Sequence, residues 1–320
     1  MKIASFRTIP VLAALSLAAR SASAQMRWVP LSLPSAPTAR GAPAMAYDPV
    51  NREVVLFGGF PASGYLADTW VLRGHAWTHL STPLSPAPRA AAGFAWDAPT
   101  QRLVLFGGYN GQYLGDTWLF DGAGGTWTQA SPTGSPPGGT GPSLFTDPID
   151  GHAVAFGGFN GMFYQLQTWK WAGTTWQQLQ PAHSPSARSA AIAALDPAHG
   201  SVVLFGGLGS VNPNNTWLWD GTDWLSQSPS QQPPLVYDAG AAFDESISRV
   251  VLFGGGSGGT EQDSTWMWTG TSWRQLSPAA SPSPRESFGL AYDRALRHLV
   301  LFGGDTSGSL HADTWWFDPR

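Results

Sequence analysis

The chain has 320 residues, a formal net charge of −4 and only 12% charged residues, so it carries no electrostatic footprint for nucleic acid. It has no cysteine, which excludes disulfides and lipid attachment at a cysteine, and a chain of this size buries enough surface to fold without them. Glycine (38) and proline (27) are abundant, but 17 tryptophans come with them, and disordered chains are poor in aromatics.

Residues 1–24 read as a leader. Lys2 and Arg7 supply a positive start, "IPVLAALSLAA" an apolar stretch, and "ASA" at 22–24 a small-residue cleavage pattern. The pattern predicts a signal peptide cut before Gln25 and a secreted or periplasmic product. The apolar run is short and ends at Arg20, which disfavours a membrane anchor. No later segment is long and apolar enough to span a bilayer. A single domain over residues 25–320 is expected, as a monomer.

From there a phrase recurs six times. Glycine pairs begin at Gly58, Gly107, Gly157, Gly206, Gly254 and Gly303, each followed by Thr-Trp, with the tryptophan at Trp70, Trp118, Trp169, Trp217, Trp266 and Trp315. A period near fifty residues marks a repeat architecture. In the first copy, strands are predicted over residues 42–48, 53–59, 68–73 and 76–81, as short β-rich runs bounded by Gly, Pro and Asp. "VVLF" is apolar at every position, as a strand covered on both faces should be. The glycine pair ends it where positive φ and close backbone approach are needed.

A second set of tryptophans, Trp28, Trp77, Trp127, Trp176, Trp224 and Trp273, falls on the fourth strands. Each lies twenty residues before an aspartate (Asp48, Asp97, Asp147, Asp196, Asp244, Asp293), and each aspartate ten before its glycine pair. A fixed length with changing sequence implies a geometric span from one repeat to the next. The chain stops after the sixth third strand, while an orphan fourth strand, "RWVPLS" at 27–32, stands near the other end. It is expected to complete the last blade and close six blades into a ring, removing a sheet edge.

These Gly-Gly phrases with two spaced tryptophans resemble kelch repeats over residues 27–320. The resemblance implies an all-β, six-bladed kelch-type β-propeller, its last blade closed by the N-terminal strand. The fold is similar to the central domain of galactose oxidase, whose copper site needs a tyrosine cross-linked to cysteine. With no cysteine here that chemistry does not carry over, and neither a catalytic residue nor a cofactor is expected.

Up-and-down strands put the loops after the glycine pairs on the same face as the crossings that lead into the first strands. Arg40, Arg89, Arg188 and Arg285 mark those crossings, twelve residues after a fourth-strand tryptophan, with Gly139 and Val236 in the other two copies. Two roles fit them: a funnel for a carboxylate, sulfate or phosphate, or bonds to backbone carbonyls between blades. The loops of repeats one to three carry Phe60, Tyr65, Tyr109, Asn110, Tyr113, Phe159, Asn160, Phe163 and Tyr164. Those of repeats four to six carry Asn212, Asn214, Asn215, Glu261, Asp263, Asp305 and His311. An aromatic half facing a polar half could grip a sugar or peptide, or the aromatics could pack their own loops.

The expected ligand set is therefore the four arginines with Tyr65, Tyr109, Tyr113, Phe163, Tyr164 and His311, and the expected partner an acidic glycan or a peptide. The repeating aspartates before the tight turns read as backbone caps rather than metal ligands. The residue before Thr-Trp (Asp68, Asp116, Asp313; elsewhere Gln167, Asn215, Ser264) reads as a hydrogen-bonding turn residue. His183 and His311 are the histidines expected on the ligand face. Two other readings remain open here: an enzyme similar to six-bladed kelch mutarotases of sialic acid, using Glu261, Asp263, Asp305 or His311, and a structural envelope protein.

Overall fold

A computed structural model describes residues 25–211 and 213–320, so the expected leader and Asn212 lie outside the described residues. Six four-stranded antiparallel sheets follow one another. Blade 1 consists of Ala44–Asp48, Glu53–Phe57, Thr69–Arg73 and Ala76–Leu80. Blades 2 to 5 start at Gly93–Asp97, Ser143–Thr146, Ile192–Asp196 and Gly240–Asp244. Blade 6 holds Gly289–Asp293, His298–Phe302 and Thr314–Asp318, and its outermost strand is Arg27–Leu31 from the other end of the chain. That strand runs antiparallel to Thr314–Asp318, with Trp28 opposite Phe317 and Leu31 opposite Thr314. The ring of six closes as the spacing predicts. Predicted strand ends run one or two residues long, because Ala42 and both glycines of the pair have positive φ and leave the strand conformation.

Two sets of side chains bind each blade to the next. Every fourth-strand tryptophan is buried and donates its indole N–H to the threonine of a neighbouring Thr-Trp: Trp77 to Thr314, Trp127 to Thr69, Trp176 to Thr117, Trp224 to Thr168, Trp273 to Thr216 and Trp28 to Thr265, at 2.9–3.1 Å. The same six rings pack on the phenylalanine that precedes the neighbour's glycine pair, as Trp127 on Phe57 and Trp28 on Phe253, with centroids 5.1 and 5.0 Å apart. "Phe-Gly-Gly … Thr-Trp" is thus a socket, and the next blade's tryptophan is its plug. A buried tryptophan contributes roughly 4–6 kcal/mol gross, an upper bound because unfolded chains are partly compact.

The glycine pair forms a third joint. The N–H of the second glycine donates to the carbonyl of the next blade's crossing, as Gly59 to Arg89 at 2.8 Å and Gly304 to Arg40 at 3.0 Å. At Gly254 (φ 64°) a Cβ would lie 2.7 Å from the Arg285 carbonyl oxygen, so only glycine fits. The first strands surround the axis and enclose a channel, which widens at the far face into a cavity of about 480 Å³ walled by Tyr47, Trp96, Leu195, Phe243 and Tyr292.

Candidate functional site

The near face, where the glycine-pair loops and the crossings meet, is organised by a closed ring of backbone. Two residues past each arginine register, Ala42, Ala91, Gly141, Ala190, Asp238 and Ser287 all take left-handed φ, between 46° and 62°. Each N–H donates to the carbonyl of its counterpart in the adjacent blade, around the full circle, at 2.6–3.0 Å. The ring constricts the channel at its near end. Five members are small; only Asp238 brings a charge to the axis, and aspartate tolerates left-handed φ better than most residues.

The four arginines do not line this mouth, and their expected role as exposed donors is corrected. Arg40, Arg89, Arg188 and Arg285 are at most 1% exposed. Arg40 forks onto Asp68 at 2.6 and 2.8 Å and also donates to the Gly58 and Thr38 carbonyls. Arg89 forks onto Asp116 and Arg285 onto Asp313 in the same way. Arg188 meets a neutral partner, the Asn215 Oδ1 at 3.0 Å, and donates as well to the Gly206 and Pro213 carbonyls and to Ser186. Lacking a counter-carboxylate, Arg188 is pushed down by burial to about 10. Burial alone would raise Asp68, Asp116 and Asp313, but the arginine and the indole N–H of the following tryptophan hold all three below the ordinary carboxylate range. The guanidiniums are therefore clamps within blades, buried away from a ligand at the mouth.

The pairing also accounts for the two gaps. Gly139 shares blade 3 with Gln167, and Val236 shares blade 5 with Ser264. Where the arginine is absent its partner has changed too, a correlation that is readable in the sequence only when the two columns are set side by side.

The aromatic residues do come together. Tyr65 meets Tyr109 edge-on at 6.0 Å, Tyr109 meets Tyr113 at 4.9 Å, Tyr113 meets Phe159 at 5.7 Å and Phe159 meets Tyr164 at 4.9 Å. One continuous arc crosses blades 1 to 3. Each loop is pinned to its crossing by a β-bridge, such as Gly41–Phe60, Ala90–Tyr109 and Thr140–Phe159. The arc ends in exposed apolar groups: Phe163 is 63% and Met162 74% exposed.

Across the mouth the groups are acidic. Glu261 accepts from the Ser307 N–H at 2.7 Å and from its hydroxyl, tying the blade 5 loop to the blade 6 loop. Asp305 accepts from the Gly308 N–H. His311 lies against Thr306 at 2.8 Å, and burial, then Arg285, lower its pKa. His183 is not at the mouth: it sits on Asp223, just before the outermost strand of blade 4, at 2.7 Å. Burial, then the charges of Glu261 and Asp305, raise Glu286. Burial, then Glu286, push Asp238 up to about 7.

Over the ring, beside the blade 1 loop, lies a cavity of about 430 Å³. Phe60, Tyr65 and Tyr109 line it together with Thr140 and the ring residues Asp238 and Ser287. Asp238 and Ser287 are the site residues that sequence reasoning missed. Their signal was an aligned column, two past the arginine register, in which the other copies have alanine or glycine.

A model of the KLHDC2/KLHL20/DRC7 kelch-repeats domain matches residues 14–158, the stretch that holds the closing strand, the first two blades and the inner half of the third. No curated protein matches the chain.

Proposed function

We propose that this six-bladed β-propeller, which matches a kelch-repeats model over residues 14–158, is an exported interaction module whose near face binds a partner peptide. The observation that carries this reading is the aromatic arc from Tyr65 to Tyr164, anchored on rigid blades and ending in the exposed Phe163 and Met162. Aromatic groups preset by packing bind with little ordering cost, and loops held on a rigid scaffold are where recognition collects. The burial of all four arginines turns the ligand preference away from the acidic glycan or peptide that their spacing suggests.

Peptides selected from a random display library against the whole protein should lose at least about tenfold in affinity with Tyr113→Ala and with Phe163→Ala, as central aromatic contacts do. Unchanged affinity in both variants would remove the near face as the site. The leader pattern over residues 1–24 supports export. N-terminal sequencing of the secreted product should begin at Gln25; an intact Met1 on the folded protein would overturn export.

A further inference from the structure

We propose that the cavity over the ring binds an organic cation, a guanidinium or ammonium side chain of the partner, with its charge on Asp238 and its flank against Tyr65 and Tyr109. The inference rests on the near-face reading above and names the chemistry its pocket selects. Four observations carry it.

The first is an unpaired carboxylate. Asp238 is half-buried and lines the open space on both sides of the ring, the 430 Å³ cavity above and one of about 140 Å³ below. Among the described residues no protein donor reaches its side chain, although its backbone N–H and carbonyl are both used in the ring. A carboxylate partly shielded from water and without a protein donor is poorly compensated, and a cation entering the cavity would relieve that cost.

The second is the aromatic lining. Phe60, Tyr65 and Tyr109 place π faces and edges around the same space. An aromatic wall facing a carboxylate is the arrangement that holds alkylated ammonium and guanidinium groups, because the ring quadrupole and the anion both attract the cation while the rings accept its apolar stem.

The third is the surrounding field. Glu286 lies close enough to Asp238 to raise it, and Glu261 and Asp305 lie beside Glu286 in turn, which burial first and then their charges raise. On the near face the arginines are buried and committed to their clamps. The other described cations lie elsewhere, as Arg73 on Glu53, Arg102 on Asp121, Lys170 on Asp147 and Arg294 on Glu245, all toward the far face. The near face therefore presents negative potential to an approaching ligand.

The fourth is the singularity of the position. The ring needs only a backbone in left-handed φ, which alanine or glycine supplies in four blades. A carboxylate at that place contributes nothing to closure, since the ring bonds are all backbone.

The test uses ligand-observed NMR on the whole protein with four probes of one shape: n-butylguanidinium, n-butylammonium, neutral n-butylurea and anionic butyrate. The two cations should bind, with butylurea and butyrate at least about tenfold weaker. Asp238→Asn, which keeps the backbone ring and the left-handed preference, should lose at least about tenfold for the cations, and Tyr65→Ala a smaller factor. Binding should tighten as pH rises through about 7, where Asp238 gains its charge. Equal binding of butylurea, a preference for butyrate, cation binding that survives Asp238→Asn, or no binding of either cation would each overturn the assignment. Display-selected peptides that depend on Tyr113 and Phe163 but carry no basic residue would also overturn it, while leaving the interaction module standing.

Discussion

Deleting residues 25–33 should unfold the propeller or drive it to associate, with a loss of at least about 5 kcal/mol, comparable to the whole stability of many domains. The segment supplies the outermost strand of blade 6, and its removal leaves the Thr314–Asp318 strand as an open edge. It also removes Trp28, which is 1% exposed, packs between Phe253 and Phe317, and donates to Thr265 at 3.1 Å. The Trp28 socket belongs to blade 5 and its strand to blade 6, so one deletion breaks both the sheet and the blade-to-blade joint. An unpaired edge invites pairing with another chain. Thermal melting and sedimentation of the truncated protein check the expectation, and a peptide of residues 25–33 added back should restore the melting temperature in part. A truncated protein that melts like the parent as a monomer would mean that the ring is held closed by other contacts.

Asp116→Ala should cost about 3 kcal/mol, the lower end of the range for breaking a buried pair, because Asp116 keeps 27% of its side chain exposed while Arg89 has 1%. The substitution strands a buried guanidinium and also takes the acceptor of the Trp118 indole N–H at 2.7 Å. Its pH dependence has a definite sign. The folded-state pKa of Asp116 is depressed, so its contribution is present above the unfolded carboxylate pKa and is lost as pH falls through the folded value. The gap between parent and variant should therefore shrink in acid. Blade 5 shows a way to build the same joint without charge: Val236 stands for the arginine, and Ser264 accepts from the Trp266 indole at 3.1 Å. The double variant Arg89→Val with Asp116→Ser should thus lose less than Asp116→Ala alone. Denaturant titration of the set measures the coupling, and simple additivity of the single substitutions would show that the pair is not a unit.

The same comparison explains why the site was only partly legible. The register of Arg40, Arg89, Arg188 and Arg285 marks a real structural column, but their spacing alone cannot say whether a guanidinium faces solvent or turns inward onto the residue before Thr-Trp. That choice depends on a partner some 27 or 28 positions away, across a loop of variable length. The aromatic residues were legible as a group, because six loops of one face must converge when blades repeat. Their arc, and the cavity it walls, depend on rotamers that packing decides. The Asp238 position was visible as a departure in an aligned column, yet nothing local announces that six such residues share one hydrogen-bonded circle.

What the amino-acid sequence alone determined was the architecture: six units, four strands in each, tryptophans as joints, and the closing strand at 27–32. A period of constant length survives any change of side chain, because the geometry of a blade and its crossing fixes the number of residues needed. What only the tertiary structure decided was the sign of the near face. Charge at a surface is the remainder after buried pairs have cancelled, and which pairs are buried is settled only when the blades close around them. Of the two roles open to the arginines, the closed blades select the internal clamp, and Asp238 at the ring is left as a charge without a protein donor.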